Sequence, residues 1–345
     1  MTLALAPIDF DLPAGNVATE PAELHGASRS DVRLMVVRKG QGTITNSVFA
    51  ELGSHLAPGD VLVVNTSATL PAAVTATEPP NVLVHFASPF GAGLWSVELR
   101  QATEDGGSAP LREIGQRVIT LPDGLAVNLL THHKGTERLW VAAIDGVDDL
   151  VEYLGRRGEP IRYVPGRPVP ITAYQTIFAR EPGSAEMPSA GRPFTDRMVT
   201  ELVASGVAIV PVVLHSGVSS FEIGETPSDE RYSVPDHTAT VMNALRGSGG
   251  RVIAVGTTVV RALETVVDRR GLIHPGSGRT DVLISGRRGV SAVDGLVTGW
   301  HEPRSSHLSL LEAFLDRFTL AAVYDEAVAA GYKWHEFGDS MLILP

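Results

Sequence analysis

The apolar and polar positions of the chain fall into two textures. VRLMVVRKG at 32–40, SVFAELGSHL at 47–56 and GDVLVVNTSATLPA at 59–72 alternate strand-like and helix-like runs. From about Leu70 the runs shorten. NVLVHFAS, LWSVELRQA, QRVITLP, LAVNLLTH and RLWVAAI recur with Gly, Pro and Asp between them, the pattern of a small antiparallel barrel or sandwich, and this ends near Asp148. A helix-like DDLVEYLGRRG and the Pro-rich EPIRYVPGRPVPIT follow. The first texture then returns in VAIVPVVLH, HTATVMNALRGS, RVIAVGTT, DVLISG, DGLVTGW and SSHLSLLEAFLDRF. The pattern predicts an α/β domain interrupted by an inserted β-domain. Within the α/β part, AREPGSAEMPSAGRPFT at 179–195 is a long Pro/Gly/Ser segment, and such loops are functional or disordered.

Candidate chemistry gathers where strands end. In GGRVIAVGTTVVRALE, 249–264, the run Val252–Val255 reads as a strand buried on both faces, and Val259, Val260, Ala262, Leu263 and Val266 suit a helix. The joint is a strand-to-helix turn, where free helix N–H groups favour an anion. Thr257 and Thr258 either cap that helix or contact a ligand. Arg261 is either a ligand contact or a helix-surface cation paired with Glu264. His215 ends VAIVPVVLH and His301 ends DGLVTGW, so both are expected at the same carboxyl edge as Thr257, in one shared pocket. Glu230 and Tyr232 in SDERYSVP and Asp339 in GDSMLIL offer a base and hydrogen bonds. Their plainer readings are a solvated carboxylate, a packing tyrosine and an aspartate that fixes a turn.

Composition narrows the function class. The chain has 345 residues, 43 % of them apolar and 19 % charged, enough for a large core and an ordinary globular balance. No apolar run of about 18 residues occurs, and MTLALAPIDFDLPAG lacks a basic start, so a cytoplasmic enzyme without membrane contact is expected. The absence of cysteine excludes thiolate catalysis and cysteine-ligated metals. A formal charge of -11 leaves room only for local nucleic-acid contact. Histidine spacing offers no metal site. GxxxxGK[ST] and GxSxG do not occur, and no GxGxxG follows the first strand.

IDFDLP (8–13), GDVLVVNTSATLPA (59–72), YQTIFAREPGSAEMPSAGRPFT (174–195), LHSGVSSF (214–221), ERYSVP (230–235), GGRVIAVGTTVVRALE, VDGLVTGWHEPRSS (293–306) and FGDSMLIL (337–344) together resemble the S-adenosylmethionine:tRNA ribosyltransferase-isomerase family of queuosine biosynthesis, nearly end to end. The resemblance implies an αβα sandwich, residues 1–69 and 154–345, carrying the active site and an inserted small antiparallel β-barrel, residues 70–153. It also implies transfer of the ribosyl group of S-adenosylmethionine, as co-substrate and without metal, onto 7-aminomethyl-7-deazaguanine in tRNA, with release of adenine and methionine. Such chemistry needs a base near the sulfonium-activated carbon and a proton donor for adenine. His215 and then His301 match family histidines and are expected to move protons. Thr257, Thr258 and Arg261 are expected to hold the methionyl carboxylate or a ribose hydroxyl. Ser189, Ala190 and Gly191 would approach the nucleoside through backbone groups, with Gly217, Glu230 and Tyr232 as further contacts.

The departures from the family pattern fall in motif loops. NTSATLPAA stands for the usual NDTRVIPAR, so Thr66, Ala68 and Ala73 replace an Asp and two Arg. PSAGRPFT places Arg192 and Pro193 where Leu and His are usual, and GWHEP brings Gly299, Trp300 and Glu302 into the position of NFHLP. Arg192 and Trp300 are therefore expected beside the substrate. Lost cations leave a second expectation, a paralogue that uses or cleaves S-adenosylmethionine with a small-molecule acceptor instead of tRNA.

Overall fold

A computed structural model describes residues 8–40, 42–104, 107–111, 113–133, 136–163, 165–218 and 229–345. The fold is mixed α/β, built on a nine-stranded sheet and a separate seven-stranded one. The order across the larger sheet is Gly276–Thr280, Glu230–Val234, Ala208–Leu214, Val61–Asn65, Val252–Val255, Gly295–Gly299, Ser340–Leu344, Arg33–Arg38 and Thr43–Val48. The middle of this series, from Ala208–Leu214 to Gly295–Gly299, is parallel.

Burial on both faces explains why the central strands read as continuous apolar runs. Val61 and Val63 join one core cluster, while Leu62 and Val64 join another on the opposite face. Val252 and Ala254 repeat the division against Ile253 and Val255. The first face receives Val259, Val260 and Leu263 of the helix Thr257–Val266 and Leu320, Val323 and Tyr324 of the helix Arg317–Ala329. The second face receives Met198 and Leu202 of the helix Asp196–Ala204, with Phe49 and Leu52 of a short 3-10 turn.

The smaller sheet is antiparallel throughout, uses strands between Ala73 and Asp145, and has its own apolar core around Phe86, Val97, Leu99, Val127 and Ala142. The helix Leu150–Arg157 is capped by the Asp149 carboxylate, which accepts from the Val151 and Glu152 amides.

Some elements differ from the sequence pattern. DVLISG forms no strand; the edge strand is the preceding Gly276–Thr280, which pairs with Glu230–Val234. SSHLSLLEAFLDRF divides into the helices Ser306–Leu311 and Arg317–Ala329, because Asp316 caps the second by accepting from the Phe318 and Thr319 amides. The long 179–195 segment is ordered: Glu181–Ser184 pairs in parallel with Ser67–Thr69, and Ser189–Gly191 makes a 3-10 turn. Residues 219–221 of LHSGVSSF lie outside the described residues.

Candidate active site

The four parallel strands deliver their following residues to one sheet edge, where open α/β sheets bind ligands. Gly256 ends Val252–Val255 with φ +99°, a backbone conformation that favours glycine, and Ala190 lies directly over it. The helix Thr257–Val266 begins there. Its cap residue is Gly256, with no side-chain cap, so the first amides have no intrahelical acceptor and face the cleft with the positive end of the helix. Neither threonine is the cap. The Thr258 hydroxyl instead accepts from Asn65 Nδ2 at 3.2 Å, and the same amide side chain donates to Leu214 O and accepts from the Leu214 and Ser67 amides. Asn65 therefore fixes three strand ends relative to one another.

A cleft of about 1140 Å³ opens above this edge. Thr257, Thr258 and Arg261 form its floor, Gly217 and Glu230 one side, Ser189 and Ala190 a second, and His301 a third; Leu283 and Leu310 add apolar surface. Arg261 does not pair with Glu264. Its guanidinium forms a part-buried ion pair with Glu230, whose other oxygen accepts from the Gly217 amide at 2.9 Å. Glu264 accepts from the Ser291 and Ala292 amides, so it serves the loop behind the helix.

His301 emerges after Gly295–Gly299. One ring nitrogen, Nε2, shares a hydrogen bond with Thr298 Oγ1 at 2.9 Å, and its ring stacks on His307 with centroids 4.5 Å apart and planes at 5°. Burial, reinforced by His307, holds His301 well below the ordinary imidazole range. Burial and the Arg261 charge lower His307 to about 4, against a smaller opposing effect of Glu302. Both are neutral bases at neutral pH.

The cleft continues into an arm of about 1120 Å³ that shares Glu186, Ser189, Gly299, His301 and Glu336 with it. Trp300 lines this arm, its ring packed against Tyr324, Tyr332 and Trp334. The far wall comes from the smaller sheet: Arg100 and Arg138 both donate to Glu98 Oε1, at 3.3 and 2.8 Å. Beneath Glu98 lies His85, with Nδ1 3.4 Å from Oε2. His85 and Arg138 draw the Glu98 carboxyl down to about 2 although burial opposes this.

Several expected residues stand elsewhere. His215 leaves the same sheet edge but lines a different cavity, of about 400 Å³, with Gly183, Trp95 and Arg231. Its Nδ1 shares a 2.7 Å hydrogen bond with Ser67 Oγ, and Ser67 in turn bonds Ser184. Burial and the Arg231 charge lower it to about 4. The expected grouping of His215 with His301 and Thr257 is thus corrected: the hydrogen bond to Ser67 and the space left by Gly183 hold its ring beside the smaller sheet. Arg192 is 1 % exposed and turned away, donating to Glu23 and to Ala173 O and stacking over Phe337. Gly191 packs on Thr176 and Phe178, and Tyr232 packs against the core of the large sheet. Asp339 takes its plainer reading, accepting from the Arg33 and Lys333 amides at 2.7 and 2.8 Å.

Sequence reasoning missed His307, Glu186 and Glu336. His307 carried a usable signal, a histidine in the first turn of a helix that follows a strand-terminal histidine. Glu336 sat in view one residue before the FGDSMLIL motif. Among the described residues, no group of three or more His, Asp or Glu could hold a metal ion, and no helix is long and apolar enough to cross a membrane.

The family model described as "Queuosine biosynthesis protein" matches residues 5–343. An S-adenosylmethionine:tRNA ribosyltransferase-isomerase from Moorella thermoacetica is 35 % identical over 357 residues, covering 99 % of this chain and 100 % of that protein. A protein of the same name from Anaeromyxobacter dehalogenans strain 2CP-C is 36 % identical over 364 residues, covering 99 % of each. A crystal structure of S-adenosylmethionine tRNA ribosyltransferase from Thermotoga maritima superposes with a TM-score of 0.56 at 27 % identity, over 98 % of this chain and 99 % of that one. The chain belongs to the queuosine biosynthesis protein family.

Proposed function

We propose that this chain is an S-adenosylmethionine:tRNA ribosyltransferase-isomerase, moving the ribosyl group of S-adenosylmethionine onto 7-aminomethyl-7-deazaguanine in tRNA with loss of adenine and methionine. The observation that carries the reading is the cleft itself: uncapped helix amides at Thr257, a neutral imidazole at His301 and apolar Leu283 and Leu310 converge on one space at the sheet edge. The full-length match to relatives of that name supports it. On this reading the methionyl carboxylate lies at the amides of Thr257 and Thr258, where partial positive charge is fixed in advance. Ser189, Ala190 and Gly217 approach the nucleoside. Arg261 and Glu230 neutralise one another, so their part is to hold Gly217 against the helix. His301, neutral at working pH, takes the proton from the carbon beside the sulfonium. His215 serves packing between the sheets.

The arm lined by Trp300, Arg100 and Arg138 receives the acceptor. The same reading assigns an αβα sandwich to residues 1–69 and 154–345 and an inserted β-barrel to 70–153. The test is to incubate the purified protein with S-adenosylmethionine, with and without tRNA bearing the deazaguanine precursor, and to follow adenine and methionine. Release that depends on the tRNA supports the reading. Equal release with a free small-molecule amine, or none with either acceptor, counts against it.

A further inference from the structure

The cleft and its arm meet at Glu336. This side chain lines both spaces, together with His301 and Ser189, so it faces the site of the departing nucleoside and the site of the entering acceptor at once. The groups around it are mostly committed to one another. Glu302, from the exit of Gly295–Gly299, pairs with His335 at 3.2 Å. Glu186 accepts from the Tyr163 hydroxyl. Arg100 and Arg138, across the arm, are held by Glu98. Arg192, behind the turn, is paired with Glu23. Arg162 and Arg167 line a smaller cavity on the far side of Glu336 with Tyr174, whose hydroxyl is itself pushed up. His301 is held neutral.

Resting on the functional reading above, we infer that Glu336 is the catalytic acid–base at this junction. As the bond between the ribosyl carbon and adenine breaks, the electron pair leaves with the base and the Glu336 carboxyl gives its proton to an adenine ring nitrogen. The acceptor's aminomethyl nitrogen forms the new bond to the ribosyl carbon. The Glu336 carboxylate then takes the remaining surplus proton from that nitrogen, which restores the acid; the other ammonium proton is lost to solvent before attack. Glu336 thus regains the proton it gives to adenine, while the proton taken by His301 passes to solvent and the electron pair of the broken carbon–sulfur bond leaves with methionine. The chemistry also suits its protonation: burial raises the carboxyl to about 7, with His335 and Arg192 acting in the opposite sense, so both forms are populated at neutral pH.

The test compares wild type with Glu336→Gln and Glu336→Asp in single-turnover adenine release across pH, alongside equilibrium binding of S-adenosylmethionine. Glu336→Gln is expected to slow release about 100-fold and to abolish the fall in rate above neutral pH, with the dissociation constant within about twofold of wild type. Glu336→Asp is expected to recover part of the rate and to keep a shifted alkaline limb. A wild-type rate and profile in Glu336→Gln overturns the inference, as does loss of binding in parallel with rate. Infrared titration of the carboxyl, assigned by its disappearance in Glu336→Gln, separates this inference from the functional reading. A titration near neutrality that S-adenosylmethionine displaces supports Glu336 even if the tRNA acceptor proves wrong; an ordinary carboxylate titration, or one indifferent to S-adenosylmethionine, overturns it whatever the turnover.

Discussion

Arg261 and Glu230 form a part-buried ion pair that joins the helix Thr257–Val266 to the strand Glu230–Val234, and through Gly217 it also fixes the loop after His215. Removing one partner leaves the other charge largely shielded from water, a loss that approaches about 3 kcal/mol, the lower end for fully buried pairs, whereas replacing both with apolar side chains is close to neutral. Urea unfolding of Arg261→Met, Glu230→Leu and the double variant is expected to show two large losses and a much smaller third. A double loss equal to the sum of the two single losses would mean that the residues contribute nothing as a pair.

Arg261→Ala also releases the Gly217 loop from the helix start. The dissociation constant for S-adenosylmethionine is expected to rise about tenfold, equivalent to about 1.4 kcal/mol. Calorimetric titration reads this directly, and an unchanged constant would detach the ion pair from the ligand site.

Stability should fall on acidification. His215, His301 and His307 are all lowered, the first and third to about 4, chiefly by burial. The unfolded chain therefore binds protons that the folded chain refuses between the ordinary imidazole value of 6.5 and about 4. Stability is full above the upper value and drops as pH descends through this window. Urea midpoints measured at intervals from pH 7.5 downward are expected to decline, with a shallower slope in His215→Gln. A flat profile would show that these imidazoles are solvated.

Glu336 has the opposite sign. Its raised carboxyl binds a proton in the folded chain where the unfolded one has lost it, so its contribution declines as pH rises from the ordinary carboxyl value of 4.5 through about 7. Glu336→Gln, which imitates the protonated form, is expected to raise Tm at pH 8 and to leave it nearly unchanged at pH 4. An equal shift at both pH values would assign the effect to packing.

Gly183 approaches the His215 ring so closely that an added Cβ would stand 2.4 Å from Nδ1. Gly183→Ala is expected to displace the ring from Ser67 and cost about 1–3 kcal/mol, the range for a buried group deprived of its partner. Binding of S-adenosylmethionine should persist, because His215 lies outside the cleft. Loss of binding at undiminished stability would bring His215 back to the site.

The sheet edge was legible in part because period and burial determine it: Val252–Val255, reading as a two-sided apolar run, belongs in the middle of an α/β sheet, and residues that end such strands share its carboxyl edge. The Thr257 turn and His301 therefore line one cleft. Which way a side chain turns after the strand ends is set by neighbours remote in sequence. His215 follows Ser67 and Gly183 into another cavity, and Arg192 follows Glu23, about 170 residues away. Local motifs hold no record of such partners. Glu336 escaped notice for the same reason, since its environment combines strand exits from distant parts of the chain with the smaller sheet.

The central claim is that one cleft, bounded by the helix start at Thr257 and by His301, holds S-adenosylmethionine. Amide hydrogen exchange with and without S-adenosylmethionine tests it most directly. Protection is expected at residues 256–261 and 298–307, with the cavity around His215 unchanged; protection confined to that cavity, or absent from both segments, would contradict the account.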